Sequence, residues 1–268
     1  MLRTRILVAV VALPIMIAVI LVGGALFEAV LAALLLIGAG ELMHLARTEG
    51  YAPSVVVAGG VIAVILIAEA NQPAMLGPGL ALMLMLAMAV TLYRFNQGSE
   101  YPLNSFSITV GGGLYLGWLG ARLLMLRWLP DGQWWTLLVL FTTFAADTGA
   151  YAVGVTFGRH KMAPRISPKK SWEGYFGGVI TGMLFGLVMG ALAGDSLPGL
   201  SAGHGLALGA LIGVISPLGD LIVSAFKREA HVKDSSHLIP GHGGMLDRLD
   251  SVLVSCVLGY YYVLWFVL

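Results

Sequence analysis

The sequence predicts an all-α fold: a polytopic helical membrane protein with about nine transmembrane helices. Three observations carry that prediction. Hydrophobic residues make up 58% of the 268 and charged residues only 11%, against about 45–50% and about 25% in soluble domains. Nine windows approach the ~20 mostly apolar residues needed to cross the hydrocarbon. Lys and Arg also fall almost entirely in alternate loops, as orientation by positive charge requires.

The opening MLRTRILVAVVALPIMIAVILVGG has the basic flank of a signal peptide. Its apolar run exceeds the usual core of about 7–15 residues, so 5–23 is read as a retained first span. The following windows are 26–46, 54–70, 74–93, 105–126, 133–157, 172–194, 203–226 and 250–268, the third being the shortest. Turn chemistry fills the breaks, as in TEGYAPS, EANQPA, NQGSEYPLNS, RWLPDGQ and GDSLPG.

Arg3 and Arg5 at the amino terminus, Arg47, Arg94, a cluster of Arg159, Lys161, Arg165, Lys169 and Lys170, and another of Lys227, Arg228, Lys233 and Arg248 place 13 of the 15 basic residues on one side. Only Arg122 and Arg127 lie near the other. The amino terminus and both basic clusters should therefore face the cytoplasm, and nine spans put the carboxyl terminus outside. There is no internal repeat and no pair of Gly/Pro-interrupted halves of the kind that mark inverted-repeat transporters. The chain divides by chemistry instead. Residues 1–130 read as scaffold helices with scope for oligomer contacts, and 131–268 hold the polar groups of a cytoplasmic-face site.

A net charge of +1 gives no electrostatic support for nucleic-acid binding. The lone Cys256 excludes a disulfide framework and a Cys-based metal site. His44, His160 and His204 read as interfacial residues, and Met75, Met83, Met85 and Met88 as packing or lipid-facing ones.

Three constellations remain. TTFAADTGAYAVG puts Asp147 deep in the sixth span, where a carboxylate marks a pathway, a partner or a metal; the plainer reading has Thr142, Thr143 and Thr148 satisfying it. SPKKSWEG sets Lys169 and Lys170 at the mouth of a helix beginning near Ser171 and Gly174, an arrangement suited to phosphate, although loop lysines also serve orientation and anionic lipid.

The third, SPLGDLIVSAFKREAHVKDSSHLIPGHGGMLDRLDS, places Asp220 within an apolar span and follows it with Lys227, Arg228 and Lys233. Gly241, Gly243 and Gly244 then surround His242, allowing close backbone approach. Asp247 and Asp250 come at i, i+3, on one face of the starting helix. Hard carboxylate oxygens beside a phosphate-binding turn suit Mg²⁺, and the absence of a Cys cluster or a helical HExxH argues against zinc. Helix capping by Asp247 and a helix-dipole role for Asp250 explain either acid alone, but not the whole group.

Residues 224–250 resemble the signature of the phosphatidate cytidylyltransferases, or CDP-diglyceride synthases: S-x-apolar-K-R, four residues, K-D, then P-x-H-G-G-x-x-D-R-x-D. Ser224, Lys227, Arg228, Lys233, Asp234, Pro240, His242, Gly243, Gly244, Asp247, Arg248 and Asp250 fill every specified position. AADTGAY, SPKKSWEG and Asp220 extend the similarity more loosely, and the first 130 residues share only apolar spans. The resemblance implies the reaction CTP + phosphatidate → CDP-diacylglycerol + pyrophosphate at the cytoplasmic face of the inner membrane. It also implies dependence on Mg²⁺, with K⁺ as a second, monovalent cation, and suggests a homodimer.

On that resemblance, Asp220, Asp247 and Asp250, with Asp147 as a less central fourth, are expected at the metal. Lys227 and Arg228 are expected to act in catalysis. Lys169, Lys170, Ser171, Lys233, Gly243, Gly244 and Arg248 are expected to bind substrate phosphates, and His242 to orient phosphate or shape the turn. Both substrates are polyanions, so nucleotidyl transfer is mainly positioning and charge neutralisation. The acyl chains can stay in the membrane lipid while the headgroup enters from the side.

Rival readings fit less well. A cation conduit should carry polar groups through the membrane depth, a polyprenol kinase or an archaeal-type ether-lipid enzyme does not account for the complete signature, and a CDP-alcohol phosphatidyltransferase would need a D-G-x-x-A-R that is absent. A membrane scaffold leaves the acids unexplained.

Overall fold

The computed structural model describes residues 2–193, 197, 199–239 and 243–268, and of residues 2–7 and 9 the backbone only. The α-helices are α1 (Leu2–Val22), α2 (Gly24–Thr48), α3 (Val55–Asn71), α4 (Leu76–Asn96), α5 (Pro102–Trp128), α6 (Gly132–Phe157), α7 (Trp172–Leu192), α8 (Ala202–Ile215), α9 (Pro217–Glu229) and α10 (Leu246–Phe266). Each predicted window coincides with a helical segment, α8 and α9 together filling the eighth. Seven segments are long and apolar enough to cross a membrane, while Val10–Val22 and Val55–Asn71 are shorter. The all-α polytopic membrane fold is as expected, with seven full-length spans among the described residues against the nine windows read from the sequence.

Two features were not foreseen. The eighth span is interrupted at Ser216, because Pro217 has no N–H to give the Gly213 carbonyl and the Gly219 N–H turns back to the Ser216 carbonyl at 3.0 Å. Asp220 consequently lies in the first turn of a new helix, not in the body of a long one. The all-α fold also carries a two-stranded antiparallel hairpin, β1 (Lys161–Ala163) and β2 (Ser167–Ser171), with Lys161 opposite Ser171.

The chain forms two compact units, one of Met1–Leu124 with Phe226–Leu249, the other of Met125–Ala225 with Asp250–Leu268. In the first, Leu35, Met43, Ile62, Ile65 and Leu116 are fully buried. The loop from α2 to α3 is held by cations: Arg94 donates to the Ala52 and Pro53 carbonyls at 2.6 and 2.9 Å, and Arg47 to Pro53 at 3.2 Å. Ser54 caps α3 through the Val57 N–H. Buried Arg122 pairs with Glu69 and stacks on Trp118, so an intramembrane charge here is neutralised by a partner, as its cost demands.

In the second unit α7 packs on α6 and α8 through small residues. Gly174, Gly178, Gly182, Gly186 and Gly190 recur every fourth position of α7 and face inward. A methyl group at Gly186 would overlap the Gly205 carbonyl of α8, and one at Gly182 would press on that of Gly209. Helices in lipid gain their attraction from such close packing, not from hydrophobic exclusion of water.

Candidate active site

The signature loop folds around two carboxylates of the first unit. Asp247, in the first turn of α10, takes the Lys227 ammonium of α9 on Oδ1 at 2.5 Å; the two side chains are 6% and 10% exposed. Its Oδ2 accepts the backbone N–H groups of Ser235 and Gly244, each at 3.0 Å. The contact with Gly244, three residues back, satisfies a backbone N–H just ahead of the helix. Gly243 adopts φ 80°, where a side chain is strained, and a methyl there would crowd Asp247 Oδ2. An isolated bridge joins it to Ile239, whose N–H reaches the Gly243 carbonyl at 3.0 Å.

The second carboxylate was missed from the sequence. Glu41 of α2, 8% exposed, accepts the Ser236 hydroxyl (2.6 Å) and the Met245 N–H (2.9 Å) on Oε1, and the Ser235 hydroxyl and the Leu246 N–H (both 2.8 Å) on Oε2. Ser235 Oγ also lies 3.1 Å from Asp247 Oδ2. A Cβ on Gly244 would overlap both Ser235 Oγ and the Glu41 carboxylate. An acid inside the apolar window 26–46 is itself a signal, but nothing local reveals that its partners lie some two hundred residues on.

The second unit carries a parallel arrangement. Asp220 accepts the Lys170 ammonium on Oδ2 at 2.8 Å and the Ser224 hydroxyl on Oδ1 at 3.0 Å. Asp250 is buried and accepts the Ser251 N–H at 2.6 Å. The start of α9 meets α10 here, since a Cβ on Gly219 would overlap the Asp250 carbonyl oxygen.

The start of α7 is less open than expected. Ser171 caps it through the Gly174 N–H at 3.2 Å, and the Trp172 N–H goes to the His160 carbonyl. Glu173 takes the Arg159 and His160 N–H groups and His160 Nδ1. What SPKKS presents is therefore ammonium charge on a hairpin strand, with Lys169 exposed and Lys170 turned to Asp220.

Asp147 lies on an exposed face of α6. Thr142, Thr143 and Thr148 donate to the Leu138, Val139 and Phe144 carbonyls of their own helix, so those hydroxyl hydrogens are spent on the backbone and not on Asp147. Arg228, Lys233 and Arg248 are exposed, with Arg228 donating to the Val232 carbonyl at 2.8 Å. His242 lies outside the described residues. Among those described, no three His, Cys, Asp or Glu side chains group closely enough to hold a metal ion by themselves.

The apolar helices, two of which begin with an aspartate paired to a lysine, define an all-α polytopic membrane protein. The chain belongs to the cytidylyltransferase family, whose model matches residues 3–266. It is 36% identical over 260 residues to a phosphatidate cytidylyltransferase of Pseudomonas aeruginosa, covering 94% of this chain and 93% of that one. It is 32% identical over 286 residues to that of a Synechocystis species, covering 97% and 95%. The match to the Mycobacterium bovis protein of the same name, 37% over 166 residues, spans 56% of this chain and about half, 53%, of the relative. The chain likewise spans about half the length of the Mycobacterium tuberculosis and Haemophilus influenzae relatives.

Proposed function

We propose that this chain is a phosphatidate cytidylyltransferase, converting CTP and phosphatidate to CDP-diacylglycerol and pyrophosphate at the cytoplasmic face of the inner membrane. The observation that carries the proposal is the interlocking of Lys227, Gly244 and Asp247, three positions of the family signature brought together around one carboxylate. Similarity to relatives of that name along nearly the full chain supports it.

In the reaction a phosphate oxygen of phosphatidate forms a bond to the α-phosphorus of CTP while the bond from that phosphorus to the β-phosphate oxygen breaks. Pyrophosphate leaves with the electron pair. The ionised phosphate is already a nucleophile, so the chain's task is to bring two polyanions together in line.

Lys170 and Lys227, each now neutralised by an aspartate, are the cations that the reactants' phosphates would engage. Exposed Lys169, Lys233, Arg228 and Arg248 add charge, Ser171 and the Gly243–Gly244 turn shape the approach, and His242 orients phosphate or supports the turn. Carboxylate oxygens within reach of ammonium groups fit Mg²⁺, which is held by one or two carboxylates together with phosphates and water. Asp220 and Asp250 would offer it carboxylate oxygens, and Asp247 would do so on releasing Lys227, with Asp147 and a K⁺ ion more peripheral. When bound, such an ion neutralises charge on attacking and leaving oxygens. We further propose that the amino terminus faces the cytoplasm and that the enzyme works as a homodimer, to be checked by crosslinking in membranes.

The test is release of labelled pyrophosphate and formation of CDP-diacylglycerol by purified protein, with and without Mg²⁺, beside Asp247→Asn. Metal-dependent synthesis, reduced by about 10²-fold or more in the variant, is expected for loss of a group that positions and neutralises charge. No product from folded protein in any lipid and cation condition would refute the activity, and full activity in Asp247→Asn would remove that residue from the machinery.

A further inference from the structure

The strongest unexplained group in the molecule is Glu41. A carboxylate in an apolar helix costs a few kcal/mol, and this one is buried 206 positions before Asp247. Four donors meet it, two on each oxygen, from Ser235, Ser236, Met245 and Leu246. A carboxylate has about four lone-pair sites, so its acceptor capacity is filled. That leaves nothing with which to ligate a cation or take a proton from a substrate.

The donors are informative by position. Ser235 and Ser236 lie six and seven residues beyond the end of α9, and Met245 and Leu246 where the chain enters α10. Helix starts leave N–H groups without intrahelical partners, and those of Met245 and Leu246 are satisfied by a side chain of another helix. The same loop residues grip Asp247: the Ser235 N–H and the Gly244 N–H both bind Oδ2. Oδ1 is thereby presented to Lys227.

We infer that Glu41 is a positioning residue of the site: it ties Ser235 and Ser236 to the start of α10 and so fixes the orientation of the Asp247 carboxylate, without touching substrate. The inference rests on the proposed activity only for its catalytic consequence, since the loop geometry stands apart from it. Glutamine at this position keeps size and shape but replaces one acceptor oxygen by a donor nitrogen. That nitrogen must face either the Met245 or the Leu246 N–H, neither of which can reverse its direction, whereas the serine hydroxyls can rotate.

The experiment pairs hydrogen exchange with steady-state kinetics on full-length protein in detergent, comparing wild type, Glu41→Gln, Ser235→Ala and the double variant. Exchange in 235–250 should quicken about tenfold in Glu41→Gln, the scale of one buried N–H left unpaired, with α3, α5 and α7 unchanged. kcat should fall by at least about tenfold, as small misplacements of reacting groups do, while KM for CTP moves less than about threefold. The double variant should lose less than the product of the single losses, because both act through the same loop.

Unchanged exchange in 235–250, or quickened exchange throughout the protein, would overturn the inference. So would a local exchange change with kcat untouched, or fully multiplicative losses. Exchange needs no turnover, so a protein that made no CDP-diacylglycerol would refute the activity while leaving the effect of Glu41 on the loop to be decided by exchange.

Discussion

At the scale of single residues, Lys227 and Asp247 form a nearly buried pair. Removing one partner of such a pair leaves an uncompensated charge and costs about 3–5 kcal/mol. Lys227→Met should therefore lower the melting temperature markedly, and adding Asp247→Asn should recover most of that loss without restoring synthesis. Thermal unfolding in detergent, read beside the activity assay, checks both; a Lys227→Met protein as stable as wild type would mean the pair contributes nothing. Both residues stood out in the sequence because the signature brings them within one short stretch, but their pairing with each other did not. Glu41 was not legible as part of the site, because its donors lie far along the chain and depend on tertiary packing.

At the scale of elements, apolar windows gave the helices to within a few residues, since a membrane helix must satisfy its own backbone over a fixed length. The break at Ser216 was less legible, because Pro217 sits in a run whose hydropathy is unbroken. The hairpin at 161–171 escaped because strands of three and five residues carry too little alternation to register. The α7–α8 contact yields a contrast: Gly186→Ala would set a methyl against the Gly205 carbonyl, whereas Gly77→Ala in α4 meets nothing within 4 Å. The first should be destabilised by about 1–3 kcal/mol, and the second unchanged or improved by up to about 1 kcal/mol. Melting curves of the two variants decide it, and equal tolerance would show that α7 and α8 can part without cost.

At the scale of the whole molecule, the charge distribution sets an orientation that labelling can test. With buried Cys256 replaced by Ser, Lys169→Cys should react with an impermeant maleimide in inverted vesicles and Gln72→Cys only in right-side-out ones; the reverse pattern would invert the proposed topology. The sequence divides into a plain half and a polar half, but the compact units do not follow that line, because residues 226–249 belong with the amino-terminal helices. Composition registers where polar groups occur along the chain, and not which distant helix receives them.

That arrangement has a consequence for biogenesis. Ribosomes add about 5–20 residues per second, so α2 leaves the ribosome roughly 10–40 s before Ser235 to Leu246 exist to receive the Glu41 carboxylate. Throughout that interval the partners that Glu41 has in the folded protein are still unmade.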